Sequence, residues 1–149
     1  MCSSDLRARP GEVDGVDYLF LDEETFADEV RAGAFLEWAV FAGNSYGSPK
    51  KPIEEMRASG TPVILEIEVQ GARQVRKAAP DATLVFIAPP SKDALRDRLT
   101  SRGTETETEL NSRLDVAEEE LAAANEFDVV LINADIEACA RELQRILGC

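Results

Sequence analysis

The stretch Thr61-Pro62-Val63-Ile64-Leu65-Glu66-Ile67-Glu68-Val69-Gln70-Gly71 constrains the fold more than any other part of the chain. Its apolar run is too short for a buried helix and is bracketed by Gly60, Pro62 and Gly71. That pattern predicts a strand buried on both faces, the kind found in parallel sheets. At its far end Glu66 and Glu68 alternate with Ile67 and Val69, which places both carboxylates on one side of an extended chain. Ligands of open α/β sheets gather beyond the carboxyl ends of the strands, so these acids are candidates for a metal or a polar ligand. A strand that simply runs out into solvent would look the same.

Two further short apolar runs repeat the theme, at residues 83–88 and 129–132. Helical patterns lie between and around them: residues 23–32 with Asp22 as cap and Gly33 as stop, a helix opened by Ser48-Pro49, and residues 72–79 closed by Pro80. Ser91 caps a further helix that breaks at Gly103, and residues 106–126 and 136–147 read as two amphipathic helices. Residues 16–21 and 35–41 are expected strands, residues 43–48 a loop, and residues 1–6 a disordered segment foreign to the fold. Buried strands alternating with helices give an α/β fold with a parallel sheet and helices on both faces.

Composition narrows the function. The chain has 149 residues and a net charge of -13, which disfavours nucleic acid or an anionic membrane surface as a partner. No run is long and apolar enough to span a bilayer, and the expected setting is cytoplasmic. The chain has no histidine, so a Ser-His or Cys-His nucleophile is excluded. Cys2, Cys139 and Cys149 include no close-spaced pair, which argues against a disulfide framework or a zinc site. Within this acidic chain, Arg96, Arg98, Arg102 and Arg113 fall close together, and Arg7 and Arg9 sit near the start. Guanidinium groups concentrated in that way suit small phosphates, which they bind bidentately.

Three groups of residues carry candidate chemistry. In the first, Arg9, Tyr18 and Tyr46 could grip a phosphate. Glu37 and Ser48 offer an acceptor carboxylate beside a hydroxyl, and guanine presents N1–H and N2–H₂ donors beside its O6 acceptor. In the second, Arg98, Arg102 and Arg113 surround the glycine break at Gly103, as in a lid that closes over transferring phosphates. In the third, Asn133-Ala134-Asp135 follows a buried strand at the edge where sheet ligands bind. Each residue also has a plainer role open to it, as surface, turn or ion-pair former.

Several uncommon motifs then recur in order: Arg9-Pro10-Gly11-Glu12-Val13-Asp14-Gly15, Phe35-Leu36-Glu37-Trp38, Gly43-Asn44-Ser45-Tyr46-Gly47-Ser48, Leu65-Glu66-Ile67-Glu68-Val69-Gln70-Gly71-Ala72, and the segment 98–105. Together they resemble guanylate kinase, over residues 7–147. The resemblance implies transfer of the γ-phosphoryl group of ATP to GMP, with Mg²⁺, in a P-loop nucleoside monophosphate kinase-like fold. It implies that Arg9, Tyr18 and Tyr46 hold the GMP phosphate, that Glu37 and Ser48 read guanine, and that Glu68 lies beside the base. It further implies Glu66 near the metal, Arg98, Arg102 and Arg113 as the lid arginines, and Asn133 near the ATP adenine.

The implied layout is one domain over 1–149, with a small mixed β GMP-binding part at 7–48, a core at 49–90 and 114–149, and a lid at 91–113. The family pattern departs from this chain in two places. An arginine expected three residues before Arg9 is Leu6 here, with Arg7 one place out of register. No GxxxxGK[ST] loop occurs either, so the chain reads as N-terminally truncated, lacking the central P-loop strand between the runs at 63–67 and 83–88, and as an inactive fragment that retains the GMP site. The alternative that the same residues allow is a non-catalytic guanylate kinase-like interaction module.

Overall fold

A computed structural model describes residues 2–41, 43–100 and 107–148. The chain forms two compact units, Met1–Ala82 and Thr83–Cys149.

The first unit is built on a mixed sheet with strand order β2-β1-β4-β3. Strand β1 (Cys2–Ser4) runs parallel to β2 (Tyr18–Phe20) and antiparallel to β4 (Asn44–Pro49), which in turn pairs antiparallel with β3 (Phe35–Phe41). Helix α1 (Glu23–Arg31) starts as expected, with the Asp22 carboxylate accepting from the Thr25 N–H at 2.7 Å. The Phe26 ring from α1 stacks on Phe35 of β3 with centroids 4.7 Å apart, and both are buried. Helices α2 (Lys50–Ala58) and α3 (Val69–Ala78) add Ile53, Ala72 and Val75 to the core.

Four expectations are corrected in this unit. Residues 2–4 are not disordered but form an inner strand, with Ser3 and Ser4 almost wholly buried. Their small side chains suit a position crowded by strands on either side. The Ser4 hydroxyl is satisfied by donating to the Ser45 carbonyl at 2.8 Å. Residues 44–48 belong to β4 rather than to a loop, and Gly47 is needed there because a Cβ would lie 2.8 Å from the Phe35 ring. Ser48 does not cap α2, because Pro49 occupies that position and the Ser48 hydroxyl is engaged elsewhere.

The fourth correction concerns the stretch that opened the sequence reading. Residues 63–67 form no ladder with any described strand. Exposure alternates along them, with Val63, Leu65 and Ile67 half-buried and Ile64 and Glu66 exposed. One face is covered rather than two. Apolar composition drives burial, whereas a strand also needs a partner for its N–H and C=O groups. The chain then enters α3 three residues earlier than the apolar pattern suggested, so Glu68 stands at the helix start instead of at a strand end.

The second unit contains a parallel pair, β5 (Val85–Ala88) and β6 (Val129–Ile132), in register Val85↔Val129. The connection between them carries α4 (Lys92–Thr100), α5 (Glu107–Ala122) and a single 3₁₀ turn at Ala124–Glu126 where a continuous helix had been expected. A parallel pair requires such a crossover. Helix α6 (Ile136–Leu147) closes the unit, capped by Asp135 and ended by Gly148 in the left-handed conformation. Leu84, Leu131 and Cys139 are buried, and Phe86 meets Phe127 edge-on at 5.1 Å. The α/β class with a small mixed β portion is therefore as expected. No described helix is long and apolar enough to cross a membrane.

Candidate active site

The antiparallel pairing of β3 with β4 sets Glu37 opposite Ser48, just past an irregularity in the register between Phe35 and Glu37. The Ser48 hydroxyl donates to Glu37 Oε1 at 2.6 Å. That length is typical of an O–H donor on a charged acceptor. Glu37 and Ser48 are only 4% and 5% exposed. A buried carboxylate loses hydration, and burial pushes the Glu37 pKa above its ordinary value. The Ser48 hydroxyl and backbone N–H pull it back, and the charge of Glu68 raises it again. The site thus holds a buried carboxyl group that accepts from a neighbouring hydroxyl and can accept from a ligand's N–H groups.

The two phenols lie on other strands of the same sheet. Tyr18 on β2 and Tyr46 on β4 meet edge-on with ring centroids 6.4 Å apart. Burial and the adjacent Tyr18 raise the Tyr46 pKa, while the Arg9 guanidinium draws it down. The three residues expected to share a phosphate therefore lie within electrostatic reach of one another. Arg9 is exposed and anchored by its backbone: its N–H donates to the Glu12 carboxylate at 2.7 Å, and its carbonyl accepts from the Glu12 N–H at 3.0 Å. Arg7 is likewise exposed, and Leu6 is half-buried with its N–H on the Ser4 hydroxyl.

The remaining candidates belong to the second unit or to its approaches. Arg98 on α4 donates to the backbone carbonyl of Asn133 at 2.7 Å, which joins two groups of residues that the sequence kept apart. Asn133 itself is fastened by its N–H to the Ala88 carbonyl at 2.8 Å, just past the end of β6. Arg113 is half-buried on α5, and Arg102 lies outside the described residues, as does the glycine break at Gly103. Glu66 is exposed on the 61–68 segment. Among the described residues no three acidic or thiol groups converge as a metal cage.

Three residues near Glu37 escaped the sequence reading. Cys2, in the segment read as disordered, donates its thiol to the Gly47 carbonyl at 3.1 Å. Burial raises its pKa, and the Glu37 charge adds to the effect. Gly71 and Gln74, on the first turns of α3, touch the Glu37 carboxylate and the β3 backbone respectively. No local signal marks these two, because a helical glycine and a half-buried glutamine take their meaning from β3.

Comparison with known proteins points to one family. The guanylate kinase family model matches residues 5–148. The chain is 52% identical over 139 residues to the guanylate kinase of Frankia casuarinae, covering 93% of this chain and 76% of that protein. It is 51% identical over 141 residues to the guanylate kinase of Streptomyces kasugaensis, covering 95% of this chain and 69% of that protein. Among solved structures, the crystal structure of guanylate kinase from Anaplasma phagocytophilum superposes with a TM-score of 0.81 at 32% identity, over 99% of this chain and 72% of that one.

Proposed function

The chain belongs to the guanylate kinase family, and from that premise we propose that its first unit binds GMP as the acceptor for the γ-phosphoryl group of ATP, the transfer that gives ADP and GDP in that family, while these 149 residues assayed by themselves hold GMP without turning it over. The observation that carries this reading is the buried Glu37 carboxylate, pinned by the Ser48 hydroxyl. Its oxygens accept from guanine N1–H and N2–H₂, and the Ser48 hydroxyl serves the O6 side. Adenine offers no N1–H, so AMP would leave a buried polar group unpaired.

Arg9, Tyr18 and Tyr46 hold the GMP phosphate, and Glu68 lies beside the base. The phosphate oxygen of GMP is itself the nucleophile, so the lack of histidine is no obstacle: such transfer rests on positioning and charge stabilisation. Arg98, Arg102 and Arg113 supply positive charge to the phosphoryl group in flight, and Asn133 lies near the adenine of ATP. Glu66 is the carboxylate that would help to hold Mg²⁺ brought in with ATP, an ion that would neutralise part of the phosphate charge. The setting is cytoplasmic, where free thiols such as Cys2 and Cys139 persist.

Calorimetric titration with GMP and with AMP tests the reading. Glu37→Gln replaces one accepting oxygen by a donor, which costs about 3 kcal/mol for a charged hydrogen bond lost to a donor–donor clash. GMP affinity is expected to fall about 100-fold on that account, with AMP affinity unchanged. Equal losses for the two nucleotides would make Glu37 a structural residue and remove the basis of the proposal.

A further inference from the structure

Gly71 lies in ordinary helical backbone, outside the set of glycines with positive φ. Conformational freedom therefore does not explain it, and within a helix glycine is a poor choice compared with alanine. Its surroundings do explain it. A Cβ at this position would lie 2.5 Å from Glu37 Oε2 and 3.3 Å from Glu37 Cδ, and the next nearest atom is the Ile67 Cβ at 3.4 Å. The Glu37 carboxylate thus rests directly against the bare helix backbone.

Three residues on, Gln74 faces the same strand. Its Nε2 donates to the Trp38 carbonyl at 2.6 Å, and its Oε1 accepts from the Trp38 N–H at 3.2 Å. One side-chain amide thereby fills both hydrogen-bonding positions of the residue next to Glu37, as a neighbouring strand would. A further contact from Nε2 to the Gln70 carbonyl at 3.3 Å ties the amide to its own helix. Because β3 is the last strand of its sheet, its outer edge is held at this point by a side chain.

We propose that α3 is the back wall of the base-reading pocket, in which Gln74 fixes the position of β3 and Gly71 leaves the space that seats the Glu37 carboxylate, so that both are specificity-determining positioning residues. The inference rests on the reading of Glu37 as the guanine acceptor. Ser48 holds one carboxylate oxygen, and the wall at Gly71 fixes where the other lies. A carboxylate free to swing could still form one hydrogen bond to N1–H. Only a fixed one accepts from N1–H and N2–H₂ together.

The test uses the whole chain and two variants. In Gly71→Ala the added methyl meets the far end of a flexible side chain, so the carboxylate yields while the helix gains a better helix former. Gln74→Met keeps the length of the side chain and removes both bonds to Trp38. Titrations with GMP and with inosine monophosphate, which lacks the 2-amino group, read the second hydrogen bond. The preference for GMP over inosine monophosphate is expected to fall about tenfold in each variant, the equivalent of one well-made bond. Affinity for AMP and, in Gly71→Ala, the melting temperature are expected to hold.

A purely structural role would lower all three affinities in proportion and leave the preference intact, and that result overturns the proposal. Carboxyl-carbon NMR of Glu37 gives a second readout that needs no nucleotide. Displaced toward water, the group in Gly71→Ala should titrate lower than in the parent chain, and an unmoved titration would equally overturn the proposal. A parent chain that fails to prefer GMP over AMP sinks the reading of Glu37 as a guanine acceptor instead, and the NMR experiment still decides whether α3 seats the carboxylate.

Discussion

Lowering the pH should strip the protein of its preference for guanine before it unfolds. Guanine presents donors to Glu37, and only the ionised carboxylate accepts from both. In the free protein, burial and the nearby charge of Glu68 raise the Glu37 pKa, so the group takes up its proton at a higher pH than an exposed glutamate would. Above that midpoint GMP affinity is constant. Below it the binding-competent fraction falls with proton concentration, and each further pH unit costs roughly tenfold in affinity.

The phosphate of GMP also titrates, at about 6, and would blur the profile. AMP carries the same phosphate, so the ratio of GMP to AMP affinities cancels that contribution and isolates the base. Calorimetry across the weakly acidic to neutral range should show a plateau followed by a fall of slope near one in the logarithm. Two variants fix the assignment by sign. Glu68→Gln removes a charge that raises the Glu37 pKa, so the fall should begin at lower pH. Ser48→Ala removes a hydroxyl that favours the charged form, so it should begin at higher pH. A ratio that stays flat in the parent chain, or that falls equally in Glu37→Gln, would refute the reasoning.

Two other outcomes are expected. The 149-residue polypeptide contains no GxxxxGK[ST] sequence and hence no backbone cradle of that kind for the β- and γ-phosphates. Assayed by itself with ATP and GMP it should bind GMP yet release no ADP at ordinary kinase rates of about 1–100 s⁻¹; coupled-assay turnover in that range would disprove this. The second outcome concerns stability. Since the folded pKa of Glu37 is raised from 4.5, the folded state loses stability as pH climbs from there through the raised midpoint. Glu37→Gln should therefore melt higher than the parent chain near neutral pH, with the gap closing on acidification, and thermal melts showing the opposite trend would mean that the carboxylate stabilises the fold.

The division between what the sequence disclosed and what it concealed follows from where each signal resides. Caps and stops are local, and Asp22, Ser91 and Gly33 do what a reading of single residues says. The candidate residues Tyr18, Tyr46, Glu37 and Ser48 were legible as types; the β3–β4 ladder sets Glu37 beside Ser48, and Tyr18 on β2 meets Tyr46 on β4 across the intervening β1. What failed was inference about pairing. Residues 2–4 carry no periodicity in so short a stretch, yet two neighbouring strands make them a strand. Residues 63–67 carry the composition of a buried strand and take no strand conformation, and no described strand pairs with them, as the expected lack of the neighbouring P-loop strand implies.

The concealment of Gly71 and Gln74 has the same origin, because their meaning depends on a partner far away in the sequence. A glycine in a helix reads as a weakness until Glu37 is known to lie where its side chain would be. A glutamine reads as a surface residue until the open edge of β3 is known to end against it. The place of the Glu37 carboxylate is therefore specified twice, by a local motif on β3 and by an absence of side chain on α3. A substitution at Gly71 that improves the helix should for that reason impair the reading of the base.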